Sequence, residues 1–521
     1  MAKWWTLLAV CLATFMLLLD VTIVNVALPS IERALDASFS DLQWVVDAYA
    51  LTLAAFLLTA GSIADLVGRR RVFVAGVGLF TAASLLCGLA GTPLLLNLAR
   101  ALQGVGAAAM FACALALLAS TYQGRDRGTA FGVWGAVTGA AVAVGPLAGG
   151  LLTQWIGWEA IFFVNIPIGV GVIWLTLAHV VESRNPRAGK VDWPGLVTFS
   201  GALFLLIFAL IRGNEEGWGS TQIVSMLVGA ALLLAVFFVV EARGREQMLE
   251  LAMFRKPAFD GASIAAFVLS ASMFAMFLYL TFYVQNQLGY SALESGLRFL
   301  PVTILSFIAA PISGKLAERF GVRWFVGGGL SLVGIGLLLM SGRDAGDDWT
   351  ALLPGFLLCG IGIGMTNPAL ATAAVGIVEP ARAGMASGVN STFRQIGIAT
   401  GIAAWGALFT HIVNSKAGEF ARAVGGGIPR GQEGSFADFI SFGLYRRIGE
   451  QAVQPGREAF LDGLNQILVV AGVVALIGAL LCLVLIRPRD FVAHGAEQGA
   501  PPDPSARTDP GGRGEPQPAG A

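Results

Sequence analysis

The sequence predicts an all-α polytopic membrane protein, with fourteen transmembrane helices arranged as two six-helix halves and two helices inserted between them. Three observations carry this. The 521 residues are 56% hydrophobic and only 13% charged, with mean hydropathy +0.74, whereas soluble domains carry about 25% charged residues. Apolar runs of about 20 residues, the length a helix needs to cross the hydrocarbon core, recur fourteen times. A short glycine-acid-arginine pattern also returns at an offset of 253 residues, between Asp65 and Glu318.

The runs cover roughly 6–28, 43–63, 73–91, 94–119, 129–153, 160–181, 194–211, 221–240, 258–286, 294–315, 322–341, 350–374, 384–412 and 460–486. The opening "MAKWWTLLAV" resembles a signal peptide, but no small-residue cleavage site follows, and the apolar run continues to Leu28 as a span. The seventh run is short, and "LAGTPLL" separates the third from the fourth. One set of alternating loops holds Arg69 to Arg71, Arg125, Arg127, Arg184, Arg187, Lys190, Arg243, Arg245, Arg255, Lys256, Lys315, Arg319, Arg323 and Arg382. The other set of short loops holds little beyond Arg33, Arg212, Arg298 and Arg343. The positive-inside rule makes the first set cytoplasmic, and both termini with it. The segment 413–459 then falls outside, where "FADFISFGLYRRIG" reads as an interfacial helix. The Pro/Gly-rich stretch 491–521 reads as a disordered cytoplasmic tail.

"GSIADLVGRRR" (61–71) and "GKLAERFGVRW" (314–324) share one pattern, and "RGTAFG" (127–132) matches "RAGMASG" (382–388) at nearly the same offset. The matched helices lie eight apart, where a plain six-plus-six bundle would put them six apart. The chain therefore divides into a six-helix half over 1–190, two inserted helices over 191–245, and a second six-helix half over 246–490. Repeated halves are a common build for secondary transporters, with the site near the midplane between them.

At these residues the chain resembles the major facilitator superfamily, specifically its fourteen-helix drug:proton antiporter branch (QacA/EmrB-like). "GSIADLVGRRRVF" is similar to the superfamily's motif A, departing at Leu66 where a basic residue is usual, and "LNLARALQGVGAA" is similar to motif B. "GPLAGG" (145–150) resembles antiporter motif C, with Ala141 where an upstream glycine is usual. "LDVTIVNVALPSI" and "FFVNIPIG" are close to the branch's first-helix and sixth-helix signatures. The resemblance implies the major facilitator fold and proton-coupled antiport.

Asp20 stands inside an apolar run, where a charge at the bilayer centre costs about 2.5–3.5 kcal/mol on the lenient insertion scale and is rarely kept without a use. At 1.5 Å per residue it lies about 12 Å below the outer surface, and Arg100, entering on the fourth helix, about 9 Å below it. Two opposite charges at one depth suggest a buried pair facing an aqueous cavity, and the resemblance implies that both helices line it. Such a carboxylate can pair with arginine or take a proton; a static structural ion pair is the other reading. Arg394 lies about 15 Å in, around the midplane, with Asn390 one turn before it. It either locks a helix or serves substrate and coupling. Asn25, Gln103 and Gln285 complete the candidate cavity residues, while Phe277, Tyr279, Phe282 and Tyr283 face either an apolar substrate or lipid. Gly61, Asp65, Gly68, Arg69 and Arg70 form a candidate latch, because a carboxylate beside a neighbouring helix N-terminus gains dipole stabilisation. Gly145, Pro146, Gly149 and Gly150 belong to a small-residue stripe that lets helices pack backbone to backbone; the resemblance adds a hinge and a proton-leak seal.

Net charge is zero, so nothing suggests a nucleic-acid partner. His179, His411 and His494 are scattered, and Cys11, Cys87, Cys113, Cys359 and Cys482 read as packing residues. No nucleotide loop, metal set or catalytic triad appears, so the chain is read as no enzyme and as needing no cofactor. The reading is a monomeric plasma-membrane antiporter, surrounded by lipid, that exports hydrophobic or cationic drugs in exchange for protons. Export of an endogenous metabolite or lipid, or uptake by symport, is the alternative.

Overall fold

The computed structural model describes residues 2–37, 39–122, 125–184, 192–244, 249–379, 383–424 and 436–491; of the tail assigned above as disordered, Phe491 is described and packs against the second-half core, and the rest lies outside the described residues. The first six spans are α1 (Ala2–Leu35), α2 (Phe39–Val67), α3 (Arg69–Gly88), α4 (Pro93–Thr121), α5 (Arg125–Trp155) and α6 (Asn165–His179). The inserted pair is α7 (Trp193–Glu216) and α8 (Thr221–Arg243). The last six are α9, which begins at Pro257–Leu269, α10 (Ala292–Phe320), α11 (Val322–Met340), α12 (Leu353–Gly376), α13 (Ala383–Ser415) and α14 (Val453–Leu485). Thirteen spans are long and apolar enough to cross a membrane among the described residues. The remaining run, the fifth (129–153), lies on α5, a helix of 31 residues.

Local chemistry sets the ends. The "LAGTPLL" joint separates two helices because Thr92 caps α4, accepting from the Leu95 N–H at 3.3 Å, and Pro93 opens it. Asp192 caps α7 and Ser220 caps α8 in the same way. Ser291 and Glu294 form a reciprocal capping box at the start of α10. The seventh run is longer than its apolar core suggests: α7 continues to Glu216, with Arg212 and Glu216 paired at 3.2 Å on its last turn. Gly68 (φ +125°) and Gly321 (φ +94°) occupy the junctions of α2 with α3 and α10 with α11. That backbone favours glycine, and both repeats supply it.

Two spans are less regular than their apolar text. The sixth is a short helix, Ala160–Phe163, followed by α6. The ninth passes from α9 through a π-helical turn, Ser270–Phe274, into Ala275–Phe282 and a second π-helical turn, Tyr283–Gln287. The expected interfacial helix is instead Phe436–Ser441, a left-handed Gly443 and a 3₁₀ turn, Leu444–Arg447. It is docked on the bundle: Ile440 and Tyr445 are fully buried, and the Tyr445 hydroxyl donates to Gln287 Oε1 at 2.5 Å.

One apolar core is built of second-half residues alone, whereas the main core of the first six spans also takes in Ala371, Val375 and Ala383. The halves meet along two seams, α2 on α13 and α5 on α10, which are equivalent under the sequence repeat. Of the inserted pair, α7 packs on both α2 and α13 and so covers the first seam, while α8 rests on α7. Thr59 and Ser200 share a 2.9 Å hydrogen bond beneath α7, and the Asn214 amide donates to the Ala403 carbonyl at 3.0 Å.

Candidate functional site

Asp20 is the centre of a closed polar network inside the first half. Its Oδ2 accepts from Arg100 Nη1 at 2.5 Å, and its Oδ1 accepts from Gln103 Nε2 at 2.9 Å and Asn165 Nδ2 at 3.1 Å. Arg100 donates further to the Val45 carbonyl at 2.8 Å and to Gln103 Oε1 at 2.7 Å, and its guanidinium lies 4.3 Å from the Tyr49 ring centroid. Ser84 joins from α3, accepting from Gln103 Nε2 at 2.8 Å and Asn165 Nδ2 at 3.3 Å. Five helices thus converge on one carboxylate. The shared depth places Asp20 with Arg100, but neither side chain faces an aqueous cavity among the described residues: they are 0% and 1% exposed. Depth along a helix fixes height and leaves rotation about the axis open. Here rotation turns both groups into the interior of one half. Three side-chain donors thus hold the one carboxylate.

Asn165, Ser84 and Tyr49 were missed as functional candidates. Asn165 lay in the quoted "FFVNIPIG", and a neutral amide in an apolar run was the available signal. The Tyr49 hydroxyl and Asn165 Oδ1 are buried without a hydrogen-bond partner among the described residues, so the network holds spare polar capacity.

Antiporter motif C lies against α1 next to this network. A Cβ at Gly145 would sit 1.8 Å from Thr22 Oγ1, and one at Gly149 would sit 2.9 Å from the Ile23 carbonyl oxygen. Gly150 meets nothing within 4 Å. The side chain of Pro146, like that of Asn25, lies outside the described residues. The other end of α5 crosses to the second half, where a Cβ at Gly132 would approach Pro311 Cα to 2.7 Å. One helix therefore touches Thr22, two residues from Asp20, and the seam between the halves.

Asp65 spans the other seam. It pairs with Arg69 at 2.8 Å and accepts from the Met385 N–H at 2.9 Å, in the first turn of α13. A Cβ at Gly61 would lie 2.6 Å from the Gly384 carbonyl oxygen, and one at Gly314 would lie 2.2 Å from that of Gly128. The same glycine crossing thus occurs on both seams, built from matched repeats. These crossings lie toward the end of the bundle that carries Arg69 to Arg71. Glu182, unremarked in the sequence, closes the Gly68 turn by accepting from the N–H groups of Arg70 at 3.0 Å and Arg71 at 3.2 Å. Arg70 also donates to the Leu177 carbonyl at 2.7 Å.

The remaining candidates do not join Asp20. Arg394 is 8% exposed in the second half and donates to Asn367 Oδ1 at 3.1 Å. Asn390 donates to the Ala262 carbonyl at 3.3 Å, a contact between helices. Gln285 is half-buried in the second π-helical turn, where its neighbour Gln287 makes the bonds to the outer segment. Tyr279 and Tyr283 are core residues of the second half, and Phe277 and Phe282 are partly buried against that core.

Residues 10–402 match the family model of the Major Facilitator Superfamily. The chain is 38% identical over 404 residues to the multidrug resistance protein Stp of Mycobacterium tuberculosis, covering 77% of this chain and 75% of that one. It is 34% identical over 492 residues to the tetracenomycin C resistance and export protein of Streptomyces glaucescens, covering 92% and 91%. Among solved structures, a human organic anion transporter superposes with TM-score 0.64 at 14% identity, covering 92% of this chain and 99% of that one. A proton:xylose symporter superposes with TM-score 0.62 at 13% identity, covering 93% and 96%. These two show a shared fold. With the matched model spanning most of its length, the chain belongs to the major facilitator superfamily.

Proposed function

We propose that this protein exports hydrophobic small molecules, antibiotics among them, across the cell membrane in exchange for protons. The names of its relatives, which include resistance proteins for puromycin and methylenomycin A, support the substrate class. The observation that carries the coupling is Asp20, a carboxylate at membrane depth held by Arg100, Gln103 and Asn165 and buried away from water. Ionised, it locks the network. Protonated, it loses the attraction of Arg100, and the five helices it ties together are released to repack. Substrate must prefer one of these states, since a ligand indifferent to both shifts nothing. One charge crossing about 100 mV supplies roughly 2.3 kcal/mol, enough for a substrate gradient of tens-fold per proton.

The Lys/Arg asymmetry supports a cytoplasmic position for the basic end of the bundle and for both termini. The glycine crossings and the Asp65 contact then hold the cytoplasmic side shut. Asp65 is the latch that stabilises this state and Arg69 holds its carboxylate in place, while Gly145 and Gly149 let α5 carry movement from the Asp20 network to the seam. The test is uptake of dyes and antibiotics by everted vesicles with and without a proton uncoupler. Uncoupler-sensitive accumulation is expected, and accumulation indifferent to the uncoupler removes the reading.

A further inference from the structure

The two halves each bury an arginine at membrane depth, and they treat it differently. Arg100 lies on the carboxylate of Asp20. Arg394 has the neutral amide of Asn367 as its hydrogen-bond partner, at 3.1 Å, and no carboxylate among the described residues pairs with it. The helix that carries it is pressed on α9 from both sides of the arginine. Asn390, one turn earlier, donates to the Ala262 carbonyl, and a Cβ at Gly397 would sit 2.4 Å from the Phe267 carbonyl oxygen. The hydroxyls of Ser387 and Thr392 on α13, and of Ser270 and Ser272 in the facing π-helical turn, are buried with no hydrogen-bond partner among the described residues. Single π-helical turns inside α-helices recur at functional sites. This one packs on α13.

A cation kept at this depth without a counter-charge is costly, and hydroxyls kept there without partners add to the cost. A buried guanidinium with no carboxylate on it among the described residues is complementary to an anionic oxygen. The buried carboxylates of Asp20 and Asp65 are already engaged by Arg100 and Arg69. We propose that Arg394 is the docking point for an acidic group, a carboxylate or an ionised phenol, on the otherwise apolar compound that the protein exports. This deepens the transport reading and rests on it. Asn367 orients the guanidinium.

The test uses wild-type protein in lipid nanodiscs and equilibrium dialysis of three radiolabelled probes of similar shape: 2-naphthoate, 2-naphthamide and (2-naphthylmethyl)trimethylammonium. Naphthoate binds saturably and about tenfold or more tighter than the other two, the worth of one charge-assisted hydrogen bond. Arg394→Gln brings naphthoate down to the level of the amide. Arg394→Lys keeps the charge but loses the planar fork. It weakens naphthoate several-fold and leaves the amide and the ammonium compound unmoved. No saturable naphthoate binding, equal binding of all three, or preference for the ammonium compound overturns the proposal. So does naphthoate binding unmoved by Arg394→Lys, which decides the matter even if Arg394→Gln fails to fold. Vesicles separate the two readings. Anion preference without proton-driven efflux of any probe removes the transport reading and leaves the site, whereas uncoupler-sensitive efflux of the ammonium compound alone does the reverse.

Discussion

Asp20 and Arg100 are each tolerable because of the other. Removing one partner from a buried pair costs about 3–5 kcal/mol, because it strands a charge, while removing both charges is often near neutral. Arg100→Ala should therefore lower the thermal midpoint of the purified protein clearly, and the charge-free double variant Asp20→Asn/Arg100→Gln should regain most of it. Differential scanning of the two variants checks this; equal loss in both would mean that the pair contributes no electrostatic lock. This pair was legible in the sequence because a charge in an apolar run demands an explanation and its depth can be counted. Asn165, Ser84 and Tyr49, which complete the network, were not legible. Small neutral polar groups carry little cost in a span, and nothing in the text says which way they face. Arg394 illustrates the same limit, since its depth was countable but its partner, Asn367, was not.

Helix contacts carry the coupling to the seams. Gly61 and Gly384 on one seam, and Gly128 and Gly314 on the other, bring backbones within a distance that excludes any side chain. Gly61→Val should prop the basic end open. Asp65→Asn should weaken the same closure more gently, by about 1 kcal/mol, through loss of a charge at the α13 N-terminus. Spin labels at the exposed Arg71 and Arg319 would report this as growth of a longer-distance population, large for Gly61→Val and small for Asp65→Asn. Unchanged distances in both would leave the motif a topology signal only. The repeat that locates these crossings could be read from spacing alone. The π-helical turns at 270–274 and 283–287 could not, because an apolar run has the same composition whether or not its ladder slips by a residue.

For the whole molecule, the span count, the repeat and the family were written in hydropathy and motif. The placement of the inserted helices was not, because the pattern that marks them as membrane helices is silent on which seam they cover. Orientation is checked by labelling. All five native cysteines are buried, so Ser183→Cys adds a single accessible thiol beside the Arg69 turn, where Ser183 accepts from the Arg69 N–H. An impermeant maleimide should reach it only after the cells are opened; labelling in intact cells would invert the topology. The central claim, that a proton moved through Asp20 drives export, is tested most directly in proteoliposomes given a pH gradient as the sole energy source. Wild-type protein should accumulate substrate uphill with stoichiometric proton counterflow, and Asp20→Asn, folded and still binding substrate, should do neither. Uphill transport and proton counterflow at the wild-type rate in Asp20→Asn would contradict the account.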